Sequence, residues 1–178
     1  MAHADEGNDT PAGTAGERYR RARETGKAYA EGERAEIRHA EVVSAPVDVA
    51  DALGLETGAR VVWRQRLTLR DGRPASLSAS WFPASVLELC PRLAQRERIR
   101  EGTTRYIELK TGRRPQRARD LWSAREAAPE ESRALGLPAQ ATVSEVRHVV
   151  YDSDEEPLAF EISIKPGTGH TGTQEYTL

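Results

Sequence analysis

Residues 59–82 largely alternate between apolar and polar side chains, the pattern of strands with one buried face. The apolar side chains share the odd positions, namely Val61, Trp63, Leu67, Leu69, Ala75, Leu77, Ala79 and Trp81. The polar ones share the even positions, namely Arg64, Arg66, Thr68, Arg70, Ser76, Ser78 and Ser80. Because Asp-Gly favours a tight turn, the two runs around Asp71-Gly72 predict an antiparallel hairpin.

The length of the hairpin loop decides whether the two faces stay uniform. A two-residue loop would place Arg66 opposite Leu77 and mix the faces. A three-residue loop, Arg70-Asp71-Gly72, would pair Leu67 with Ala75 and Arg64 with Ser78. We therefore expect the three-residue loop.

A second helix-and-hairpin unit follows the first. Residues 141–151 and 157–165 predict another hairpin, and each return strand begins with a proline, Pro74 or Pro157. Helices are predicted near 46–53, 83–89, 103–111 and 129–135, and further strands near 35–43 and 115–125. Two such units predict an α+β fold, an antiparallel sheet with flanking helices.

The N-terminal part of the chain differs in composition from the rest. Residues 1–16 are rich in Ala, Gly, Thr and Asp without periodicity, which predicts a disordered arm. Residues 17–34 are charged and lack an apolar stripe, so we expect a linker with at most a short helix. The domain is predicted to span residues 35–178.

Composition narrows the classes of function. The 178 residues are 38% apolar, contain a single cysteine, Cys90, and carry a net charge of −2. One cysteine excludes an internal disulfide, and the absence of an apolar leader or a long apolar run predicts a cytoplasmic protein without a membrane segment. The slight negative charge argues against a surface that wraps nucleic acid by itself.

No motif indicates catalysis, a metal site or a cofactor. The four histidines, His3, His39, His148 and His170, lack ligand spacing, and we interpret those in strands as surface residues. No nucleophile elbow or glycine-rich phosphate loop is present. We interpret Cys90 as a small buried residue. The sequence therefore predicts neither an enzyme nor a bound metal or cofactor.

The polar face of the first hairpin is the one suggestive group of side chains. Guanidinium groups bind carboxylate or phosphate oxygens in pairs, and nearby hydroxyl groups satisfy further acceptors. The same pattern also fits a sheet face that is simply exposed to water. The pattern alone leaves both interpretations open.

Residues 53–178, about 70% of the chain, contain a series of short motifs. They are Leu53-Gly-Leu-Glu-Thr-Gly, Arg66-Leu-Thr-Leu-Arg-Asp-Gly-Arg-Pro, Ser80-Trp-Phe-Pro, Gly102-Thr-Thr-Arg-Tyr-Ile-Glu-Leu-Lys-Thr-Gly-Arg, Ala124-Arg and Tyr151-Asp. In order and spacing, this stretch resembles the UTRA domain, the effector-sensing half of HutC-type regulators in the GntR family. The resemblance implies a chorismate lyase-like fold enclosing a small-molecule pocket.

The resemblance also implies which residues bind the effector. Arg66 matches the first arginine of the family's Arg-x-Arg, whereas Thr68 stands in place of the second. Ser78 replaces the glutamate usual after the hairpin proline, and Glu161 occupies the equivalent place in the second hairpin. Thr103 and Thr104 match the hydroxyl residues before the middle helix, with Tyr106 behind them. The family's closing Arg-Gly-Asp-Arg is absent, so we expect an acidic or hydroxylated effector that is smaller or less charged than a sugar phosphate.

Three functional hypotheses follow. The first is an effector-sensing, dimerising domain that acts on DNA only through a winged helix-turn-helix, for which we find no candidate recognition helix before residue 35. The second is a chorismate lyase-like enzyme for a small carboxylated metabolite, with Glu161 and Arg66 at its site. The third is a purely structural dimerisation module. We favour the first, with a homodimer expected.

Overall fold

A computed structural model describes residues 14–167 of the chain, and within them an antiparallel sheet carries helices on both faces. The helices are α1 (Ala15–Thr25), α2 (Val47–Leu53), α3 (Thr103–Thr111) and α4 (Pro129–Leu135). The strands are β1 (Glu33–Ser44), β2 (Arg60–Arg70), β3 (Arg73–Pro83), β4 (Arg117–Glu126), β5 (Thr142–Tyr151) and β6 (Pro157–Pro166). Two short 3₁₀ turns, Ala84–Glu88 and Pro91–Ala94, follow β3. The predicted α+β class is confirmed.

The sheet is built from two similar halves that meet at its centre. The strand order is β1-β2-β3-β6-β5-β4, and all neighbours are antiparallel. Each half is a strand, a helix and a hairpin, and Ala79 lies opposite Ile162 where the two return strands pair. The repeated helix-and-hairpin pattern is thus a pseudo-twofold arrangement, which brings the polar positions of β3 and β6 side by side.

The first hairpin keeps its faces uniform in a different way from the predicted one. Arg70 pairs with Arg73, so the loop is the two-residue Asp71-Gly72, and both residues have positive φ as a type I′ turn requires. A β-bulge then shifts the register, since Thr68 pairs with Ser76 but Leu69 with Pro74. The predicted three-residue loop is wrong. Arg66 lies opposite Ser78, and Arg64 lies opposite Ser80.

The two faces of the sheet pack against different elements. On one face, α2 and α4 cover the apolar positions of the four central strands, including Val61, Leu67 and Phe160. The opposite face carries a second core around Phe82, which the 3₁₀ turns and α3 cover, and Cys90 is fully buried there as expected. The rest of this second face is polar. It lies beneath α1 and the start of α3.

The predicted arm at residues 1–16 falls mostly on residues 1–13, which lie outside the described residues, as do His3 and His170. Residues 17–34 contain most of α1, a connector and the start of β1. Within residues 14–167, no helix is long and apolar enough to cross a membrane.

Candidate functional site

The polar face of β2 and β3 is buried rather than exposed to water. Arg64, Arg66 and Thr68 on β2 are each less than 9% exposed, and so are the serines opposite them, Ser76, Ser78 and Ser80. Polar groups lose their hydration on burial and need new hydrogen-bond partners. Burial of this face therefore costs free energy wherever such partners are missing. The alternative of a solvated sheet face is wrong.

Arg66 and Glu161 form the charged centre of this face. One guanidinium nitrogen of Arg66, Nη2, lies 3.3 Å from Oε1 and 3.4 Å from Oε2 of Glu161. Ser80 pairs with Glu161 across β3 and β6 and donates its hydroxyl to Oε2 at 2.8 Å. Arg18 of α1 donates from Nη2 to Oε1 at 2.5 Å. Glu161 therefore holds two arginines from distant parts of the chain.

The charges in this centre are strongly coupled. Burial by itself would raise the pKa of Glu161, but the positive charges of Arg18 and Arg66, with His148 and the Ser80 hydroxyl, lower it to about 2. Burial and the nearby Arg66 lower the pKa of Arg18. In Arg66 burial acts downward too, yet Tyr29 and Glu161 outweigh it and raise its pKa. Glu161 is thus a carboxylate, held ionised by its cationic neighbours.

Arg64, two residues from Arg66 on the same face, has a different set of partners. Its guanidinium donates to the backbone carbonyls of Arg92, Leu93, Gln95 and Glu97. These carbonyls belong to the second 3₁₀ turn and to the residues directly after it. Arg64 therefore fixes a loop and is not directed at the Glu161 carboxylate.

Several polar atoms near Arg66 lack partners. Among residues 14–167, Nε of Arg66, Oγ1 of Thr68 and Oγ of Ser76 are buried without a hydrogen bond. The hydroxyl of Ser78, by contrast, lies 3.2 Å from that of Ser163. Buried donors without partners cost about 1–3 kcal/mol each, so they mark places that water or a ligand would satisfy.

The start of α3 contributes the other predicted residues. Thr103 and Thr104 line a small cavity together with Arg18, Arg66 and Glu161, and we call this region the Arg66–Glu161 cleft. Tyr106 faces the other way: it lies in the core with Val62 and Phe82, and Arg92 stacks over its ring. The structure therefore brings Thr103 and Thr104 to Arg66 but not Tyr106.

Sequence reasoning missed three polar side chains of the site, those of His148, Lys165 and Arg18. His148 is buried, against our expectation of a surface histidine, and its Nδ1 contacts Asp120 of β4. It lies opposite Glu161 across β5 and β6. Lys165 shares the face of Glu161 at the end of β6, and burial lowers its pKa. The even–odd parity of β6 could have indicated Lys165, but no periodic signal pointed to Arg18.

Within the described residues, no cluster of three or more His, Cys, Asp or Glu side chains could hold a metal ion. His39, the other described histidine, is half exposed and stacks on Trp63. The site is thus a buried arrangement of arginine, lysine, carboxylate and hydroxyl groups, suited to binding a small polar molecule by charge and hydrogen bonds.

Comparison with known proteins identifies the family of this chain. Residues 31–171 match the UTRA domain. The chain belongs to the UTRA domain family. This confirms the resemblance given by the sequence motifs, and with it the predicted class of function, an effector-binding domain of a transcriptional regulator.

Relatives and solved structures place the domain in a wider context. The chain is 27% identical over 123 residues to the HTH-type transcriptional regulator GgaR of Escherichia coli, covering 68% of this chain and 46% of the relative. It thus spans about half the length of the curated relatives it matches. A GntR-family regulator from Bacillus cereus has the same fold, with a TM-score of 0.72, 18% identity and coverage of 83% of this chain and 100% of that one. So does the effector domain of PhnF from Mycobacterium smegmatis, with a TM-score of 0.71, 22% identity and coverage of 83% and 90%.

Proposed function

We propose that this chain is the effector-binding domain of a HutC-type transcriptional regulator of the GntR family, and that its effector binds in the Arg66–Glu161 cleft. The UTRA match and the regulators among its relatives support the regulatory class. A winged helix-turn-helix domain, in the same protein or in a partner, would provide the contact with DNA. Regulation of transcription would place the protein in the cytoplasm.

The observation that carries this proposal is the buried charge around Arg66. Moving an arginine and a carboxylate out of water costs several kcal/mol per ion, and apolar residues of similar volume would often stabilise a fold as well or better. A purely structural module would gain little from such a centre. A binding site gains a rigid, water-poor place in which charged contacts are strong.

The side chains also define the class of effector. Arg66 would bind an acidic or hydroxyl group, and Thr68, Ser78, Thr103 and Thr104 would offer hydroxyls around it. Glu161 would orient Arg66 and accept a hydrogen bond from the ligand. Tyr106 would support α3 from the core side. The lack of the family's closing Arg-Gly-Asp-Arg favours a compact effector over a sugar phosphate.

Nothing in the site favours the lyase alternative over regulation. The relatives named above are transcriptional regulators, and this supports a non-enzymatic role. Release of product from chorismate by the purified protein would instead support the lyase.

We further propose that the domain forms a homodimer through β4. This strand lies at the end of the sheet and pairs only with β5 among the described residues. Its Leu121 and Trp122 are both more than half exposed. Exposed edge strands and large apolar side chains are commonly covered by a partner.

A ligand screen followed by one matched pair of variants tests the proposed site. Thermal shift with a panel of compact carboxylated and hydroxylated metabolites should identify a compound that stabilises the protein. A charge-assisted contact contributes about 1.5–3 kcal/mol, so Arg66→Ala should weaken binding of that compound roughly 10- to 150-fold in calorimetry. Arg73→Ala, at an exposed arginine in the same hairpin, should leave the affinity unchanged. Equal affinity for Arg66→Ala and the unchanged protein would contradict the proposed site.

A further inference from the structure

Helix α1 lies over the Arg66–Glu161 cleft and inserts one side chain into it. Of its eleven residues only Arg18 and Ala22 are buried. The guanidinium of Arg18 reaches the Glu161 carboxylate, which also holds Arg66 and Ser80. A cation from outside the sheet thus already occupies one side of Glu161.

Helix α1 is capped at both ends by residues of its own segment. Thr14 and Glu17 form a capping box at its start, and Gly26 ends it in the left-handed conformation. These bonds are local, so they do not require that α1 be docked on the sheet.

The contacts that dock α1 on the rest of the domain include polar contacts and one small apolar cluster. Tyr19 donates to Glu108 at 2.9 Å, and Arg21 donates to the carbonyl of Ala28 at 3.3 Å. Ala22 packs with the small cluster formed by Ala28, Tyr29 and Ala35. Segments with little buried apolar surface belong to the part of a protein that opens at low free-energy cost.

The cavities around α1 indicate what its departure would open. Three cavities of about 20, 210 and 10 Å³ border the helix, and Ala15 lines all of them. Glu161 lines the two small ones, and His148 connects one of these to the largest. Ligand sites commonly measure about 300–1,000 Å³. The helix therefore lies between neighbouring cavities that share lining residues and are each too small for an ordinary ligand.

We propose that the position of the Arg18 guanidinium is a subsite for a cationic group of the effector, an ammonium or a guanidinium, which replaces Arg18 on Glu161 as α1 leaves the cleft. This inference rests on the proposed effector-binding function and names part of the ligand. The other polar groups of the effector, hydroxyl or carboxylate, would lie toward Arg66 and Thr68.

Charge balance is the reason for a cation at this position. Replacing one cation by another leaves the Glu161 carboxylate with the same number of positive neighbours. An anion in the same place would lie against Glu161, in a region where like charges repel strongly because water is scarce. Arg66, Ser80 and His148 stay on the sheet in either state, so the binding partner of the cation is already oriented.

Chemical rescue tests the subsite with methylguanidinium as the probe. In Arg18→Ala, methylguanidinium at low millimolar concentration should bind beside Glu161 and give a saturable rise in Tm of roughly 2–4 °C. The unchanged protein and Arg23→Ala, a variant of an exposed arginine on the same helix, should show no saturable rise at this concentration, because methylguanidinium lacks the effector's other contacts and does not displace Arg18. A folded Arg18→Ala protein that does not bind methylguanidinium would overturn the subsite. Should Arg18→Ala fail to fold, the same titration on Arg18→Gln gives the answer.

Hydrogen exchange on the unchanged protein tests the opening. The amides of α1 should exchange at least about 100-fold faster than those of β2, β3 and β6, because α1 opens without the sheet. Equal protection of α1 and these strands would overturn the proposed departure of α1.

The two proposals fail in distinguishable ways. Arg66→Ala that loses effector affinity, together with Arg18→Ala that does not bind methylguanidinium, overturns the cationic subsite and leaves effector binding intact. The reverse result, rescue of Arg18→Ala with unchanged effector affinity in Arg66→Ala, supports the subsite and contradicts the proposed role of Arg66.

Discussion

Arg64 and Arg66 lie two residues apart on one face of one strand, yet they have different roles. Arg64 binds backbone carbonyls of a loop, and Arg66 binds the Glu161 carboxylate. The carbonyls of Arg92, Leu93 and Gln95 share the Nη1 of Arg64, and that of Glu97 accepts from Nη2, which leaves the fixed guanidinium fork little capacity for a ligand. The partner, and not the residue type, separates a structural arginine from a binding one.

Removal of the Arg64 side chain should destabilise the protein. Arg64→Ala leaves several loop carbonyls without their donor, and we expect the free energy of unfolding to fall by about 2–4 kcal/mol. Urea unfolding of this variant beside Arg60→Ala, an exposed arginine at the start of β2, measures the difference. A loss of the same size in both variants would show that the loop contacts contribute nothing.

Ionisation of Glu161 should stabilise the fold in a defined pH range. Burial opposes ionisation, but Arg18 and Arg66 bring its pKa from the ordinary 4.5 to about 2. A pKa lowered on folding contributes stability that is fully present above about 4.5 and is lost as the pH falls through about 2. The contribution is about 3 kcal/mol.

A comparison with Glu161→Gln measures this contribution. The difference in unfolding free energy between the unchanged protein and Glu161→Gln should shrink by about 3 kcal/mol between pH 5.5 and about 2. The other carboxylates contribute equally to both proteins, so their contributions cancel in this difference. Glu24→Gln, at an exposed position of α1, should follow the unchanged protein at every pH. Parallel curves for Glu161→Gln and the unchanged protein would refute the assignment.

At the scale of elements, the two halves of the sheet repeat their helix ends more closely than their hairpins. Helices α2 and α4 are both seven residues long and both end in a glycine with positive φ, Gly54 at 64° and Gly136 at 66°. The hairpin loops differ, with Asp71-Gly72 in the first half and Asp152–Glu156 in the second. Helix ends repeat because the same backbone geometry must return the chain to the sheet.

Equal substitutions at the two helix ends should therefore have equal costs. Gly54→Ala and Gly136→Ala should each lower the free energy of unfolding by about 1 kcal/mol, since an L side chain is strained at positive φ. A Cβ at either position meets no atom closer than 3.9 Å, so the cost comes from the backbone alone. Gly16→Ala, inside α1, should not destabilise the protein. Thermal unfolding of the three variants checks this, and a neutral Gly136→Ala would contradict it.

At the scale of the whole molecule, β4 is the element that the described chain leaves most exposed. Nine of its ten residues are exposed. Arg117 and Arg125 make ion pairs with neighbouring elements, and Asp120 contacts the ring of His148. Leu121 and Trp122 do not contribute to a core within residues 14–167. A second copy that pairs with this edge would cover both.

Charges placed on β4 should therefore dissociate the proposed homodimer. The double variant Leu121→Glu with Trp122→Glu should sediment as a monomer at micromolar concentration, because it brings like charges together at the interface. The matched double variant Val47→Glu with Leu109→Glu changes two equally exposed apolar residues on helices and should remain dimeric. Dimers of both variants would exclude β4 as the interface.

The elements and the fold class of this protein follow from its sequence, because they depend on local rules. Period-two alternation, the Asp-Gly turn and glycines after α2, α3 and α4 act over a few residues, and the predicted helix at 129–135 has the observed bounds. The family resemblance added Arg66 and Glu161, which the sheet does bring together.

What only the tertiary structure decided is which polar groups share one buried site. The prediction of uniform faces on the first hairpin holds, but a bulge beside Pro74, and not a longer loop, preserves them. A bulge and a longer loop each add one residue, so either one restores the same register. The burial of His148 and the insertion of Arg18 depend on contacts between residues more than a hundred positions apart or on different strands, as in the pair of Arg18 with Glu161. Periodicity reports the face on which a residue lies, whereas only the packing of α1 over the sheet determines what that face meets.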